Sequence, residues 1–191
     1  MQEKARHITE AAEKLFLDRR FDEVTLDEVA REACVGKGTI YRYFDNKQDL
    51  YLKTLLAGLD ELVESLGGMA DPDGREASLV ELARQHVRSQ AKRRPLFALL
   101  RSEELRRAKR ERNLWPEFKR RIRAIMDVYR RTIERGIQEG RYRRDVDPEL
   151  AASFLMGMLR NGGRVFEGDE NELADRAVKV LEGGIMAEDT E

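Results

Sequence analysis

The chain has 191 residues, of which 38% are charged and 41% are hydrophobic, and its formal net charge is −1. With one cysteine and four prolines, this composition is typical of an ordered, mostly helical protein without a disulfide framework. Two histidines and one cysteine exclude a His/Cys metal cluster, and the sequence has no GxxxxGK(S/T) phosphate loop and no supported catalytic constellation. We therefore predict no metal, no cofactor and no enzymatic activity.

The sequence carries no sign of export or of membrane insertion. Its N-terminus lacks the apolar run of a signal peptide, and no stretch approaches the roughly 20 apolar residues that a membrane span needs. The single cysteine fits a reducing compartment. We therefore expect a cytoplasmic location and no membrane partner.

Charge is distributed unevenly along the chain. Residues 84–144 hold 21 Lys and Arg against 7 Asp and Glu, a net charge of +14, whereas residues 145–191 carry a net charge of −8. A charge run on a helical chain most often forms a solvated face, which is the interpretation we favour. A surface that offsets the acidic segments and a site for an anionic ligand, such as an acyl-CoA-like molecule, remain alternatives.

Apolar residues at helical spacing recur along the whole chain, so the predicted fold class is all-α. The first helix is expected over residues 2–19. Thr25 is expected to cap a second helix of about two turns, with Glu28 completing the capping box. A turn at residues 34–36 then leads into a third helix over residues 37–44.

The remaining elements are also predicted to be helices. Asp45 is expected to cap a long fourth helix that ends near residue 66, before a break at residues 67–76. Pro95 suits the first turn of a later helix. The other helices are expected at about 77–92, 115–139, 148–160 and 172–186, with Gly162 and Gly163 near a helix end.

The stretch VGKGTIYRYFDNK, residues 35–47, contains the most unusual helix. It follows a short helix and a turn of about three residues, which is the pattern of a helix-turn-helix. Its glycine at position 38 would let the backbone approach a DNA duplex closely, and its hydroxyl groups and cations suit phosphate contacts. The pattern therefore favours a recognition helix that enters the major groove.

The segment ITEAAEKLFLDRRFDEVTLDEVAREACVGKGTIYRYFDNKQDLYLKTL, residues 8–55, resembles the N-terminal DNA-binding domain of the TetR family of bacterial transcriptional regulators. The resemblance implies inward-facing Ile40 and Phe44. It also departs from the family at Cys34 and Gly36, where a glycine and a serine are usual. We expect Cys34 to be a small buried filler rather than a redox switch. The implied DNA-binding residues are Thr25, Lys37, Gly38, Thr39, Tyr41, Arg42, Tyr43 and Lys47.

The resemblance also implies the domain organisation and the function. It predicts a three-helix helix-turn-helix domain at residues 1–47 and a helical ligand-binding and dimerisation domain at residues 48–191, which begins with a long connecting helix. The function would be that of a ligand-responsive repressor that binds a palindromic double-stranded operator as a homodimer. The alternative is an all-α protein-binding or scaffolding module whose helix-turn-helix reads no specific operator.

Two further sets of residues are assigned on the helical domain, and ordinary core is the competing interpretation for each member. In the family the middle helices enclose a small-molecule pocket, here for an unidentified hydrophobic or anionic effector, and the last two helices pair in a dimer. The candidate pocket residues are Phe97, Leu100, Trp115, Phe118, Ile122, Met126, Tyr129, Phe154, Leu155 and Met158. The candidate dimer residues are Phe154, Met158, Gly162, Leu173, Ala177 and Leu181.

Overall fold

The computed structural model describes residues 2–69, 77–94, 96, 114–166 and 168–186. Throughout these ranges the regular secondary structure is helical, apart from one isolated β-bridge, which confirms the predicted all-α fold class. The helix expected after Pro95 lies outside the described residues. The helices are α1 (Gln2–Asp18), α2 (Leu26–Glu32), α3 (Lys37–Tyr43), α4 (Lys47–Gly67), α5 (Leu79–Lys92), α6 (Trp115–Gln138), α7 (Pro148–Val165) and α8 (Glu170–Ile185), with a 3-10 turn at Phe21–Glu23.

The chain divides into two compact units. The first unit comprises Met1–Glu61 and Arg93–Arg120, and the second comprises Leu62–Lys92 and Arg121–Glu191. Helices α4 and α6 therefore each contribute residues to both units. The boundary at residue 47 between a DNA-binding and a ligand-binding domain stays a prediction.

Local side-chain signals set where several helices begin. Thr25 and Glu28 form the predicted capping box of α2, and Asp147 caps α7 ahead of Pro148. The expected cap of α4 is off by one residue, because the helix begins at Lys47 and the Oδ1 atom of Asn46 accepts the N–H of Asp49 at 2.9 Å. An asparagine caps a helix as well as an aspartate does, so residue type alone does not distinguish the two positions.

Helix α7 continues past the glycines that were expected to lie near its end. A Cβ atom at Gly162 would stand 2.4 Å from Cδ1 of Leu173, so the glycine makes room for α8. The helix then ends at Val165, and the N–H of Phe166 donates to the carbonyl of Gly162 at 2.9 Å. Here a glycine serves close packing instead of termination.

The core of the first unit is aromatic where α1 and α4 meet. The rings of Phe16, Phe21 and Tyr51 lie 4.9 to 5.8 Å apart between centroids, in stacked and edge-to-face arrangements. The Tyr51 hydroxyl donates to the carbonyl of Leu96 at 2.5 Å, and burial raises the pKa of this phenol. This contact ties the segment after α5 to the helices of the same unit.

In the second unit α5 packs against both α7 and α8. The buried imidazole of His86 has its Nδ1 atom 3.0 Å from the Tyr129 hydroxyl and its Nε2 atom 2.6 Å from the amide nitrogen of Gln90. The Tyr129 hydroxyl donates to the carbonyl of Leu82 at 3.2 Å. Burial lowers the pKa of His86 to about 4, so the imidazole is neutral at pH 7.

Candidate nucleic-acid interface

The turn between α2 and α3 has a left-handed residue at Cys34, where the family that the sequence resembles usually has a glycine. Cys34 has a φ of 50°, in the left-handed region that few residues other than glycine, asparagine and aspartate adopt. The N–H of Val35 donates to the carbonyl of Ala30 at 2.9 Å, which closes the end of α2. Cys34 is exposed, so the expectation that it is a buried filler is wrong.

Helix α3 has one buried side and one exposed side. Ile40 and Phe44 are buried, as expected, and hold the helix against the rest of the first unit. Tyr41 is 52% exposed although it is a large aromatic residue, and Arg42 is also exposed. A Cβ atom added at Gly38 would meet no other atom within 4 Å, so the backbone there is open to an approaching partner. Helix α3 carries six of the eight residues that the sequence assigned to DNA, and four of them, Lys37, Gly38, Tyr41 and Arg42, are exposed.

The ammonium of Lys37 already has an anionic partner. Its Nζ atom lies 2.8 Å from a carboxylate oxygen of Asp27 on α2, which raises the pKa of Lys37. Both side chains are more than half exposed, so the pair is screened by solvent and exchanges easily. Arg42 reaches Thr39 through a long hydrogen bond of 3.4 Å and stacks over Tyr43.

The hydroxyl of Thr25 is engaged in its capping box. It accepts the N–H of Glu28 at 3.2 Å and donates to the carboxylate of the same residue at 2.8 Å. The Arg19 guanidinium at 2.7 Å and then the Thr25 hydroxyl lower the pKa of Glu28 to about 2. Thr25 thus sits at the start of α2 with its hydroxyl hydrogen turned to Glu28, and its contact with phosphate stays a prediction.

Lys47, at the start of α4, turns its ammonium towards the protein. The Nζ atom donates to the carbonyls of Phe21 at 2.8 Å and Val24 at 3.0 Å, and it lies 4.4 Å from the Phe21 ring centroid. These acceptors belong to the 3-10 turn and the residue that follows it, ahead of α2. In this arrangement Lys47 fastens the turn, and the phosphate contact assigned to it from the sequence stays a prediction.

A second lysine of α4, which the sequence did not single out, lies at the other end of α3. Lys53 donates to the carbonyl of Tyr43 at 3.0 Å and pairs with the carboxylate of Asp49 at 3.0 Å. Lys53 is six residues after Lys47, and its carbonyl acceptor is ten residues away. Local sequence patterns therefore give no signal for the contact.

The candidate pocket residues are scattered between core and surface. Phe118, Tyr129 and Leu155 are buried, and Met126 and Met158 are partly exposed. The exposure of Trp115, Ile122 and Phe154, at 54%, 43% and 58%, argues against placing these three in an enclosed pocket. Phe97 and Leu100 lie outside the described residues. The pocket itself stays a prediction.

The candidate dimer residues divide in the same way. Leu173, Ala177 and Leu181 are buried within the chain, whereas Gly162, which packs against Leu173, is partly exposed. Met158 is partly exposed. Among the described side chains of α7 and α8 the large apolar ones that are exposed are Leu150, Phe154 and Val180, and Phe154 is one of the candidate dimer residues. A helical stripe places apolar residues on a face, but it does not say which of two faces is turned outward.

The basic segment, residues 84–144, forms a largely solvated face over the part of it that the structure describes. Lys119, Arg120, Arg123 and Arg131 are exposed on α6, and Arg130 pairs with Asp127 and Glu134 on the same helix. The arginines and lysine at residues 106–110 lie outside the described residues. Over the described ranges, no helix combines the length and the apolar character required to cross a membrane.

Two protein-family models match the chain in sequence order. The model described as "Bacterial regulatory proteins, tetR family" matches residues 8–54, which include α2, the turn and α3. The model described as "Tetracyclin repressor-like, C-terminal domain" matches residues 72–164. Both models describe regulatory proteins, so the prediction that the chain is not an enzyme is confirmed.

The curated relatives that the chain matches are also transcriptional regulators. The chain is 36% identical over 76 residues to the HTH-type transcriptional regulator HbdR of Aromatoleum sp. (strain CIB), covering 38% of this chain and 33% of HbdR. It thus spans a quarter to a third of the length of the first curated relatives that it matches.

Solved structures extend the likeness of the fold over nearly the whole chain. A TetR-family transcriptional regulator from Mesorhizobium loti has a TM-score of 0.74 and 20% identity, covering 97% of this chain and 98% of its own. The FadR regulator of Bacillus subtilis in complex with stearoyl-CoA has a TM-score of 0.68 and 20% identity, covering 94% and 98%. With both family models matched in order and the same fold from end to end, the chain belongs to the TetR family of bacterial transcriptional regulators.

Proposed function

We propose that the chain binds a specific palindromic DNA operator as a homodimer and represses transcription until a small-molecule effector releases it. The exposed side of α3 is the observation that carries this proposal. Tyr41 is half exposed beside exposed Arg42 and an open backbone at Gly38, whereas Ile40 holds the opposite side in the core. A helix that served only the core would not need an exposed tyrosine between cations. Regulation of this kind would place the protein in the cytoplasm with the chromosome.

Selection of bound duplexes from a random DNA pool tests the DNA-binding proposal. The wild-type protein is expected to enrich two inverted half-sites separated by about one helical turn. The double variant Lys37→Met with Tyr41→Phe should lose the enrichment while its thermal unfolding stays unchanged, because both side chains are exposed. Enrichment of the same sequence by the double variant would contradict the assignment of α3.

The proposed dimer would bury the exposed apolar side chains of α7. Leu150 and Phe154 are 52% and 58% exposed on that helix, and Val180 on α8 is 68% exposed. Leu150 and Phe154 are four residues apart and lie on the same face of α7, and exposed apolar patches mark protein interfaces. A two-fold interface places the same patch on both protomers, which matches an operator with inverted half-sites.

Light scattering on a charged variant tests this interface. Phe154→Asp would place a carboxylate on the apolar face, so the protein is expected to become monomeric and to lose at least about a hundredfold in operator affinity. Arg160→Asp, at an already charged exposed position of the same helix, should remain dimeric. A dimeric Phe154→Asp protein would rule out this face.

The proposed effector is an amphiphile with an anionic group. The net charge of +14 over residues 84–144 would suit an anionic ligand, and the structurally similar FadR of Bacillus subtilis was solved with stearoyl-CoA. We propose a long-chain acyl-CoA as the first compound to test. A ligand that binds one conformation more tightly than the other shifts the population towards it, and here the favoured conformation would be the one with low DNA affinity.

Thermal denaturation with matched ligands tests the effector proposal. Stearoyl-CoA should raise the melting temperature and release the selected duplex, whereas free coenzyme A and stearate alone should do less. An unchanged melting temperature at the highest soluble concentration of stearoyl-CoA would remove acyl-CoA from consideration, because a ligand that binds the folded chain raises its stability. DNA binding by the same sample would show that the regulator is intact.

A further inference from the structure

The recognition helix α3 is too short to keep its orientation alone. It has seven residues, and isolated helices shorter than roughly 12 residues are marginal in water. Ile40 is the one buried side chain within the helix, so contacts at the helix ends must set its tilt. The last carbonyl groups of any helix have no partner within that helix and need donors from elsewhere.

Lys53 of α4 supplies such a donor at the end of α3. Its Nζ atom donates at 3.0 Å to the carbonyl of Tyr43, the last residue of α3. The same ammonium lies 5.3 Å from the ring centroid of Phe44, within the range of a cation–π contact. A cation at this position also meets the negative end of the helix dipole.

Asp49 holds the Lys53 ammonium in that place. Its carboxylate pairs with Lys53 at 3.0 Å and accepts the backbone N–H of Asp45 at 3.0 Å. The Asp49 side chain is 2% exposed and the Lys53 side chain is 41% exposed. A carboxylate buried this deeply is stabilised by a nearby cation. The Lys53 ammonium is therefore held beside Asp49 and does not swing freely to a phosphate.

From these contacts we propose that Lys53, anchored by Asp49, is a positioning residue for DNA recognition. It fastens the end of α3 to α4 and so sets the angle at which the exposed side of α3 meets the major groove. Its charge is balanced by Asp49, so it contributes no counterion release. The proposal rests on the proposed DNA-binding function, and it names a residue that acts through α3 rather than on the DNA.

Salt dependence separates a positioning residue from a phosphate contact. A side chain that neutralises a phosphate adds about one to the slope of log affinity against log salt, whereas a positioning residue changes the affinity at constant slope. The probe is the duplex that the wild-type protein selects from the random pool. Lys53→Met should bind it about tenfold more weakly, the scale of one lost hydrogen bond to a charged group, with the wild-type slope.

Three variants provide the comparison. Lys37→Met should lower the slope by about one, as expected for an exposed lysine on the DNA-facing side. Lys53→Arg keeps a long cationic donor and should restore binding to within about threefold of the wild type. Lys14→Met removes a lysine of α1 that is 72% exposed and should change neither affinity nor slope.

Hydrogen exchange in the free protein tests the contact without DNA. The amides at the end of α3, at Phe44 and Asp45, should exchange about tenfold faster in Lys53→Met than in the wild type and Lys14→Met. If Lys53→Met does not fold, Lys53→Gln carries both measurements with the same expected direction.

Each outcome has a distinct meaning. Failure of the wild-type protein to enrich any sequence overturns the proposed function before a variant is compared. A Lys53→Met protein with wild-type affinity, or one whose slope falls as in Lys37→Met, overturns the positioning role although DNA binding stands. Weaker binding at constant slope, faster exchange at the end of α3 and recovery in Lys53→Arg establish it.

Discussion

The two units of the chain bury polar side chains in different forms. In the first unit the buried groups include ionised ones, since Arg93 is 5% exposed and pairs with Glu13, and Asp49 is 1% exposed and pairs with Lys53. In the second unit the buried imidazole of His86 is neutral and joined to Tyr129 and Gln90.

The two forms are sensitive to different changes. A buried ion pair has already lost its hydration, so removal of one partner leaves an uncompensated charge. A buried neutral base has avoided that cost, but the folded state loses stability as the pH falls below the pKa that the base has in water, because only the unfolded chain then takes up a proton. We therefore expect the first unit to respond most to substitution and the second to acid.

Replacement of Arg93 is expected to reduce stability more than any other substitution considered for the two units. Its Nε atom lies 2.5 Å from Glu13 of α1, and it also pairs with Glu61 of α4. Gly58 makes space for it, because a Cβ atom there would stand 2.7 Å from the Arg93 Nε atom. Arg93→Met should lower the free energy of unfolding by about 3 kcal/mol, measured by urea denaturation.

An exposed arginine provides the matched control. Arg84 forms a 2.7 Å pair with Asp175 in which both side chains are more than 40% exposed. Arg84→Met should cost less than about 1 kcal/mol, because solvent screens the pair. Equal losses for the two variants would show that burial does not distinguish these ion pairs.

The pH dependence of the free energy of unfolding tests the neutral state of His86 in the second unit. Because burial lowers its pKa from 6.5 to about 4, the unfolded chain takes up a proton between these values that the folded chain does not. The neutral imidazole's contribution to stability is complete above pH 6.5 and is lost as the pH falls towards 4. Between about pH 7 and pH 5 the free energy of unfolding should fall by about 2 kcal/mol from this group.

A variant isolates the contribution of His86 from those of the carboxylates. His86→Gln cannot take up the proton, so its free energy of unfolding should vary less over the same pH interval, by about the same 2 kcal/mol. The pKa of Glu28, at about 2, lies well below this interval. Identical pH profiles for variant and wild type would show that His86 is already charged or solvated in the folded chain.

The sequence predicted the local features well and the distant contacts poorly. The capping box of Thr25 and Glu28 and the limits of α3 depend on residues a few positions apart, so a pattern can show them. Arg93 lies in a basic run that suggests a solvated face, and its partner Glu13 is 80 residues away. Nothing within such a run marks the one arginine that the fold buries.

The same limit applies to the residues of the candidate site, whose contacts are made by residues distant in sequence. The sequence assigned Lys47 to phosphate because a basic residue stands there in the family, but its carbonyl partners lie more than 20 residues away. On α7, Phe154 and Leu155 are adjacent and equally apolar, yet one is 58% exposed and the other is fully buried. Helical periodicity fixes the spacing of a stripe, whereas tertiary packing decides which residues it covers.

Tyr142 combines the two forms of buried polar group and gives the smallest expected effect. Its neutral hydroxyl donates at 2.9 Å to the carboxylate of Glu182, and burial together with that carboxylate raises its pKa to about 12. Tyr142→Phe keeps the ring over Gly136 and removes one hydrogen bond. The free energy of unfolding should fall by about 1 kcal/mol, which for a chain of this size lowers the melting temperature by roughly 2 to 4 °C. Tyr41→Phe, at an exposed hydroxyl, should leave the melting temperature unchanged. If Tyr142→Phe melts with the wild type, the hydrogen bond to Glu182 contributes nothing, and the ring alone closes this end of the second unit.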